Sequence, residues 1–389
     1  MPFDGFTIHA ICNELNQDLA GARIDKIHQP EKDEIVLSIR TMSAGTVRLA
    51  LSANARWARL HLSSDKQPNP TSPPSFCMLL RKYLEGGKIK EVRQVGFERI
   101  VHIYIEALDE FRDWKMRVLV LEIMGKHSNI ILVNPDNNII IDAIKRYGSD
   151  VSSHREVFPG REYIAPPDQG KVNPLELTMD QFATRMWSFN SSSLSQALFQ
   201  LCSGVSPYSA QELCRLAHLD PHIPVEECGE YEFTVLLETL LNQIKVCSNP
   251  PCPAYVIYKG TSVSDFTPLK PAYSQPGHSF QTFASANQAA AHFYQAKMEQ
   301  LRLESMQTNL SRTVKGWMDK AQKKRFSQES DLNKAREKEH LKTWGELLTV
   351  YAYELKKGDR EARLVDFNTG QEVTIELDPR LTPIGNAQK

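Results

Sequence analysis

The sequence predicts a multidomain α+β chain, with a mixed α/β N-terminal unit, a small helical domain and a long helical arm. Three observations carry that expectation. Strand-length apolar runs recur through the first 145 residues between turn-forming residues, the segment from about 174 to 246 switches to short helical patterns, and residues 286–342 contain no proline.

In the first region, Ile11, Leu15 and Leu19 recur at helical spacing up to Gly21. Strands are predicted over 23–28, 34–39, 46–50 and 59–62, followed by the connector QPNPTSPPS (67–75), whose prolines exclude a helix or a central strand. FCMLLRKYLE (76–85) reads as an amphipathic helix stopped by Gly86 and Gly87. Strands are predicted again over 100–106, 115–122, 129–133 and 139–143, the last two joined by a turn at Asn137 and Asn138. Short helices are expected over 180–189, 194–201, 209–216 and 231–244, with a return to β structure within 249–277. The 286–342 stretch holds 12 Lys/Arg against 7 Asp/Glu, and its apolar residues, among them Phe293, Leu301, Met306, Leu310 and Trp317, fit one arm of an antiparallel coiled coil with an imperfect heptad. The tail alternates like a strand pair around Asn368, Thr369 and Gly370.

Composition narrows the function. With 389 residues, 41% of them apolar, the chain can bury real cores. No apolar run approaches the roughly 20 residues that span a bilayer, and the N-terminus carries no secretory pattern, so a cytoplasmic protein without membrane contact is expected. The seven scattered cysteines form no C-x-x-C, which suggests neither a disulfide framework nor a zinc ribbon. His218 and His222 are separated by Pro221, which breaks the helix that two facing ligands need, so no metal is expected. P-loop, dinucleotide-binding, nucleophile-elbow and zincin motifs are missing, hence no cofactor and no catalytic residue is predicted. A net charge of −1 confines any polyanion binding to local patches.

Three constellations stand out. LCSGVSPYSAQEL (201–213) fits a helix-hairpin-helix, with Gly204 for the tight turn and Ser206 before a helix whose N-terminus can meet a phosphate; an ordinary αα-hairpin fits equally. Arg81, Lys82, Lys88, Lys90, Arg93 and Arg99 place six cations against three acids within nineteen residues, enough to track a phosphate backbone, or simply a solvated helix face followed by a polar strand. Glu98 and Arg99, just before an apolar strand, offer an acid and a base for a hydroxyl and a phosphate, or a surface ion pair. The turn GKHSN (125–129) presents Lys126, His127, Ser128 and Asn129 between two strands, but no acid orients the histidine as a triad would need.

Taken together, these stretches resemble the NFACT family of ribosome-associated quality-control factors, in its bacterial RqcH form. The resemblance rests on FDGFTIHAICNELN (3–16), RIDKIHQP (23–30), PPSFCMLLRKYLEGG (73–87), FERI (97–100), EIMGKHSNIIL (122–132), FPGREYIAPP (158–167), GVSPYSAQEL (204–213), WGELLTVYAYELKKG (344–358) and LDPRLTP (377–383), in order along nearly the whole chain. It implies an NFACT-N domain over 1–172, similar in arrangement to formamidopyrimidine-DNA glycosylases, and a helix-hairpin-helix domain over 173–247. A β-containing return segment over 248–285 and a middle coiled-coil region over 286–389, ending in a β hairpin, would follow. Family members continue into the returning coiled-coil strand and an NFACT-R domain, so the resemblance also implies a fragment.

The implied activity is binding of large ribosomal subunits, rRNA and protein, that still carry peptidyl-tRNA. Alanyl-tRNA would be recruited for template-free C-terminal alanine tailing, with bond formation left to the ribosome. The family's N-terminal Asp falls on Asp4, and its Asp-Arg pair on Glu98 and Arg99, all implicated in tRNA engagement. Glu98 keeps the charge but adds a methylene. Lys126, His127, Ser128 and Asn129 join them as expected tRNA contacts, and Arg81, Lys82, Lys88, Gly204 and Ser206 as RNA-backbone contacts. Two alternatives compete. A DNA glycosylase would use Pro2 as nucleophile, but the acidic residue expected beside that proline is absent and DNA is not an expected partner. A fibronectin-binding adhesin is the other, and no signal or anchor supports it.

Overall fold

The computed structural model describes residues 3–42, 44–64, 68–148, 154–167, 169–272 and 277–389. Pro2 and Gln67, the first residue of the predicted connector, therefore lie outside the described residues, as do 273–276 within the predicted β return.

The chain opens with helix α1 (Gly5–Leu19), followed by strands β1 (Arg23–Glu31), β2 (Glu34–Thr41), β3 (Gly45–Ser52) and β4 (Arg59–Leu62). Helix α2 (Ser75–Leu84) precedes β5 (Lys88–Gln94), β6 (Ile100–Leu108), β7 (Trp114–Glu122), β8 (Asn129–Asn134) and β9 (Ile139–Ala143). Helices α3 (Met179–Trp187), α4 (Leu194–Leu201), α5 (Pro207–Leu216) and α6 (Glu230–Cys247) come next, then strands β10 (Ala254–Lys259), β11 (Ser262–Thr267) and β12 (His278–Phe283). Helix α7 (Ala286–Glu337), helix α8 (Glu339–Val350), strands β13 (Glu361–Val365) and β14 (Glu372–Glu376) and helix α9 (Pro383–Gln388) complete the order.

The predicted strands of the first region form one antiparallel sheet in the order β4-β3-β2-β1-β5-β6-β7-β8-β9. It consists of two meanders joined where Arg23 of β1 faces Lys88 of β5. Strand β5 is the element that the apolar pattern obscured: Lys88, Lys90 and Arg93 look like a charge run, yet Ile89, Val92 and Gln94 are buried, with a break in the alternation where the register shifts between Ile89 and Glu91. One face of the sheet packs on α1 and α2. The main core gathers Phe6, Ile11 and Leu15 of α1, Leu80 and Leu84 of α2, and Ile103 and Ile105 of β6. The opposite face carries a smaller cluster of Ile100, Val118, Val120, Ile131 and Val133. A strap within 154–167 covers it, paired through Tyr147 to Val157 and through Ile139 to Glu162.

The chain divides into two compact units, 1–300 and 301–389. In the first, α4 and α5 form the hairpin around Gly204, and the sheet β11-β10-β12 packs into the main core through Val256, Val263 and Phe266. The first turns of α7 are buried there through Ala286, Ala289, Ala290 and Phe293. Glu14 of α1 anchors that beginning. Its carboxylate accepts the N–H groups of Cys252, Ala286 and Asn287 at 2.9 Å each, the Asn287 amide at 2.9 Å and the Ser285 hydroxyl at 2.7 Å.

The second unit folds around Leu347 and Leu348 of α8 and Ala362, Leu364 and Ile375 of the β13–β14 hairpin, as the alternation around Asn368 to Gly370 predicted. The proline-free segment is helical as expected but is not one helix, because Lys338, at φ −97° and ψ 0°, separates α7 from α8. Leu303, Met306, Leu310 and Trp317 are exposed. All seven cysteines are buried thiols. Among the described residues, no helix is long and apolar enough to cross a membrane.

Candidate nucleic-acid interface

Three segments far apart in sequence meet at the N-terminus of α1. Asp4 is its N-cap, and Oδ1 accepts the Thr7 N–H at 3.0 Å, satisfying one of the donors that a helix start leaves open. The other carboxylate oxygen crosses to the hairpin. Oδ2 accepts from the Ser206 hydroxyl at 3.0 Å and from the Ser209 hydroxyl. Ser206 is itself the N-cap of α5, its Oγ accepting the Ser209 N–H at 3.1 Å. One acid thus ties two helix N-termini together, a favourable place for negative charge. Burial, the largest influence, raises the Asp4 pKa, and the bonds from Ser209, Thr7 and Ser206 pull the other way.

Backbone contact tightens the junction. The Gly5 N–H donates to the Gly204 carbonyl at 2.6 Å. Gly204 sits at φ +71°, and a Cβ there would lie 1.9 Å from the Phe97 carbonyl oxygen. A Cβ on Gly5 would stand 2.8 Å from Gly204 and from the Phe97 ring. Only glycine admits this approach of three backbones. Gln94, from the end of β5, donates to the Gly5 carbonyl at 3.1 Å and to the Glu98 carbonyl at 2.9 Å, so the turn bearing Glu98 and Arg99 is bonded to the start of α1. Phe6 and Phe97 pack edge to face beneath it, centroids 5.0 Å apart.

Glu98 and Arg99 are half-buried. Lys171 approaches both. Its pKa is lowered chiefly by burial and then by the Arg99 charge, with Glu98 opposing, and its ammonium is held by the Phe199 carbonyl at 2.6 Å over the Phe199 ring. The Arg99 carbonyl accepts the Ile123 N–H at 2.9 Å, which places the GKHSN turn next along the same edge. That turn is a single 3-10 turn, Gly125–His127. Lys126 and His127 are exposed, whereas Ser128 and Asn129 face inward. Ser128 Oγ accepts the Met124 N–H at 2.8 Å, and Asn129 bonds the Lys145 carbonyl at 2.9 Å and the Ile130 and Lys145 N–H groups at 2.9 and 3.1 Å.

The fold thus brings Asp4, Gly204, Ser206, Glu98 and Arg99 together, with Lys126 and His127 adjoining. Arg81, Lys82 and Lys88 lie elsewhere. In the antiparallel β5–β6 pair, Lys88 faces Glu106 while Gln94 faces Val101, so the charge run is split between strand ends about 20 Å apart. At the far end Lys82 pairs with Glu110 at 2.6 Å, and Arg81 donates to the Ile27 carbonyl at 2.9 Å. Sequence reasoning missed Gln94, Lys171 and Ser209. Only Ser209 had a local signal, since S-P-Y-S sets hydroxyls at the N-cap and third position of a helix.

A buried acid thus locks two helix starts beside a half-buried acid–base pair, with Lys171 and the exposed Lys126 close by. The chain belongs to the NFACT family: the profile described as NFACT N-terminal and middle domains matches residues 4–389. Among curated proteins it is similar to the "Rqc2 homolog RqcH" of Bacillus subtilis, 34% identical over 100% of this chain and 66% of that protein. The chain therefore spans about two thirds of that relative's length. The human "Ribosome quality control complex subunit NEMF" is 23% identical over 66% of this chain and 23% of its own. Among solved structures, the N-terminal part of the fibronectin/fibrinogen-binding protein from Streptococcus suis is 31% identical with a TM-score of 0.59, covering 75% of this chain and 99% of that one.

Proposed function

We propose that this chain acts in ribosome quality control as a cytoplasmic, non-catalytic RNA-binding factor. It engages large ribosomal subunits that carry peptidyl-tRNA and recruits alanyl-tRNA for template-free alanine tailing that marks the chain for degradation. The observation that carries this reading is the convergence of Asp4, Glu98 with Arg99, and Gly204 with Ser206, from three segments up to about 200 residues apart, on one edge. Family membership and the relatives' names support it.

In this reading Arg99 meets a tRNA phosphate, and Glu98 accepts from a ribose hydroxyl or a base. Lys126 and His127 extend the contact, while Asp4, Ser128 and Asn129 hold the backbone that presents it. The α4–α5 hairpin acts as a helix-hairpin-helix whose second N-terminus is taken by the Asp4 carboxylate rather than by an RNA phosphate, so that Gly204 and Ser206 brace the edge instead of touching the RNA backbone, and α7 supplies one strand of a coiled coil. Peptide-bond formation belongs to the ribosome.

The test is sedimentation of the chain with purified large subunits, followed by sequencing of co-purifying small RNA. Enrichment of alanine tRNA, reduced about tenfold in Arg99→Ala, is the expected result for loss of one charge-assisted contact. Subunit binding without any tRNA would remove the recruitment role. Absence of both, with binding to fibronectin instead, would replace the reading by the adhesive one.

A further inference from the structure

On the sheet face covered by the strap, Glu122 ends β7 directly between Ile100 of β6 and Asn129 of β8. It is fully buried, among Ile100, Val120 and Ile131. Arg155, 5% exposed, comes down from the strap and grips it with both nitrogens, Nη1 to Oε1 at 2.7 Å and Nη2 to Oε2 at 2.5 Å. The Tyr163 hydroxyl donates to the same Oε1 at 3.1 Å, and Arg155 Nη1 also donates to the Ile164 carbonyl at 2.8 Å. Burial works against the guanidinium charge, but the bonds to Glu122 outweigh it and hold the Arg155 pKa above its usual range.

Such a pair is a poor device for stability. Desolvating two charges offsets most of their attraction, and apolar side chains of similar volume often serve as well. Its position suggests another use. The residue after Glu122 is Ile123, whose N–H holds the Arg99 carbonyl, and the next is Met124, whose N–H is held by Ser128. A bidentate fork fixes direction as well as distance, which an apolar contact does not.

We infer that Arg155 is a positioning residue: through Glu122 it sets the end of β7, and with it the Arg99 backbone and the 125–128 turn, in the alignment that RNA binding requires. This rests on the RNA reading above.

The test uses the full chain with Glu122→Met and Arg155→Leu combined, which leaves no unpaired buried charge. Thermal stability is expected to be unchanged or higher. Retention of tRNA should fall about tenfold, since small misplacements of binding groups carry large penalties. Amide exchange at Ile123, Met124 and His127, whose N–H groups are bonded to the Arg99 carbonyl, Ser128 and the Met124 carbonyl, should quicken about tenfold as the edge loosens. Adding Arg99→Ala should cost little more, because both changes act on one contact. Native tRNA retention, native exchange at those amides, or a fully additive loss would each overturn the assignment. Should the double variant fail to fold, Arg155→Lys keeps the charge without the fork. It should lower tRNA retention and quicken the same amides, and native behaviour in both overturns the inference. If the unaltered chain retains no tRNA, the RNA reading fails, and the exchange rates alone decide whether Arg155 positions the edge.

Discussion

At Gly204 the constraint is steric and local. The left-handed backbone and the Phe97 carbonyl 1.9 Å from any Cβ leave no room for a side chain. Gly204→Ala should lower unfolding free energy by about 3 kcal/mol, combining overpacking with left-handed strain, measured by urea denaturation. Asp4 makes an electrostatic counterpart. Because burial raises its folded pKa above the unfolded value, the folded state takes up this proton first as pH falls, so acidification relieves a burden on folding. Asp4→Asn carries no such burden. The stability of the native chain relative to Asp4→Asn should therefore rise as pH drops from neutral towards the ordinary carboxylate range; a constant difference in urea midpoints across that interval would refute the assignment. The signature of Gly204 was legible in sequence as a turn between helices. Its contact with Phe97 was not, since nothing in either segment names the other.

Helix α1 shows how an element acquires two jobs. Its apolar spacing was readable, and it buries Phe6, Ile8, Ile11 and Leu15 as an amphipathic helix should. Two of its acids also serve the start of another helix, which nothing in their own segment announced: the N-cap Asp4 reaches α5 and Glu14 caps α7. Glu14→Gln would turn a donor towards the Ser285 hydroxyl and the Asn287 N–H and amide groups, which now donate to Oε2. A cost of about 2 kcal/mol follows from leaving buried donors unmatched. The amides of Ala286 and Asn287 should exchange faster, while those of β7 and β8 should not. Strand β5 illustrates the opposite case. Its cations dominate its appearance, and only the sheet on both sides shows that Ile89, Val92 and Gln94 are interior.

For the whole molecule, the charge run between Arg81 and Arg99 is the instructive case. In sequence it is one basic patch, and in the fold an antiparallel hairpin sends its members to opposite ends. Lys88→Ala should change tRNA retention less than about twofold, against about tenfold for Arg99→Ala, with subunit association the more sensitive to salt where phosphate contacts accumulate. Pull-downs across a salt series separate the two. By itself the sequence determined eight of the nine strands of the large sheet, the amphipathic α2, the helical hairpin, the long charged helix and the terminal β hairpin, because periodicity and turn chemistry are properties of neighbouring residues. Tertiary structure alone decided that Asp4 would meet Ser206 and Ser209 some two hundred residues away, that Ser128 and Asn129 would turn inward, and that Arg155 would find Glu122. Those pairings depend on which faces the sheet buries and which segments the core draws together, and that information is spread over the whole chain.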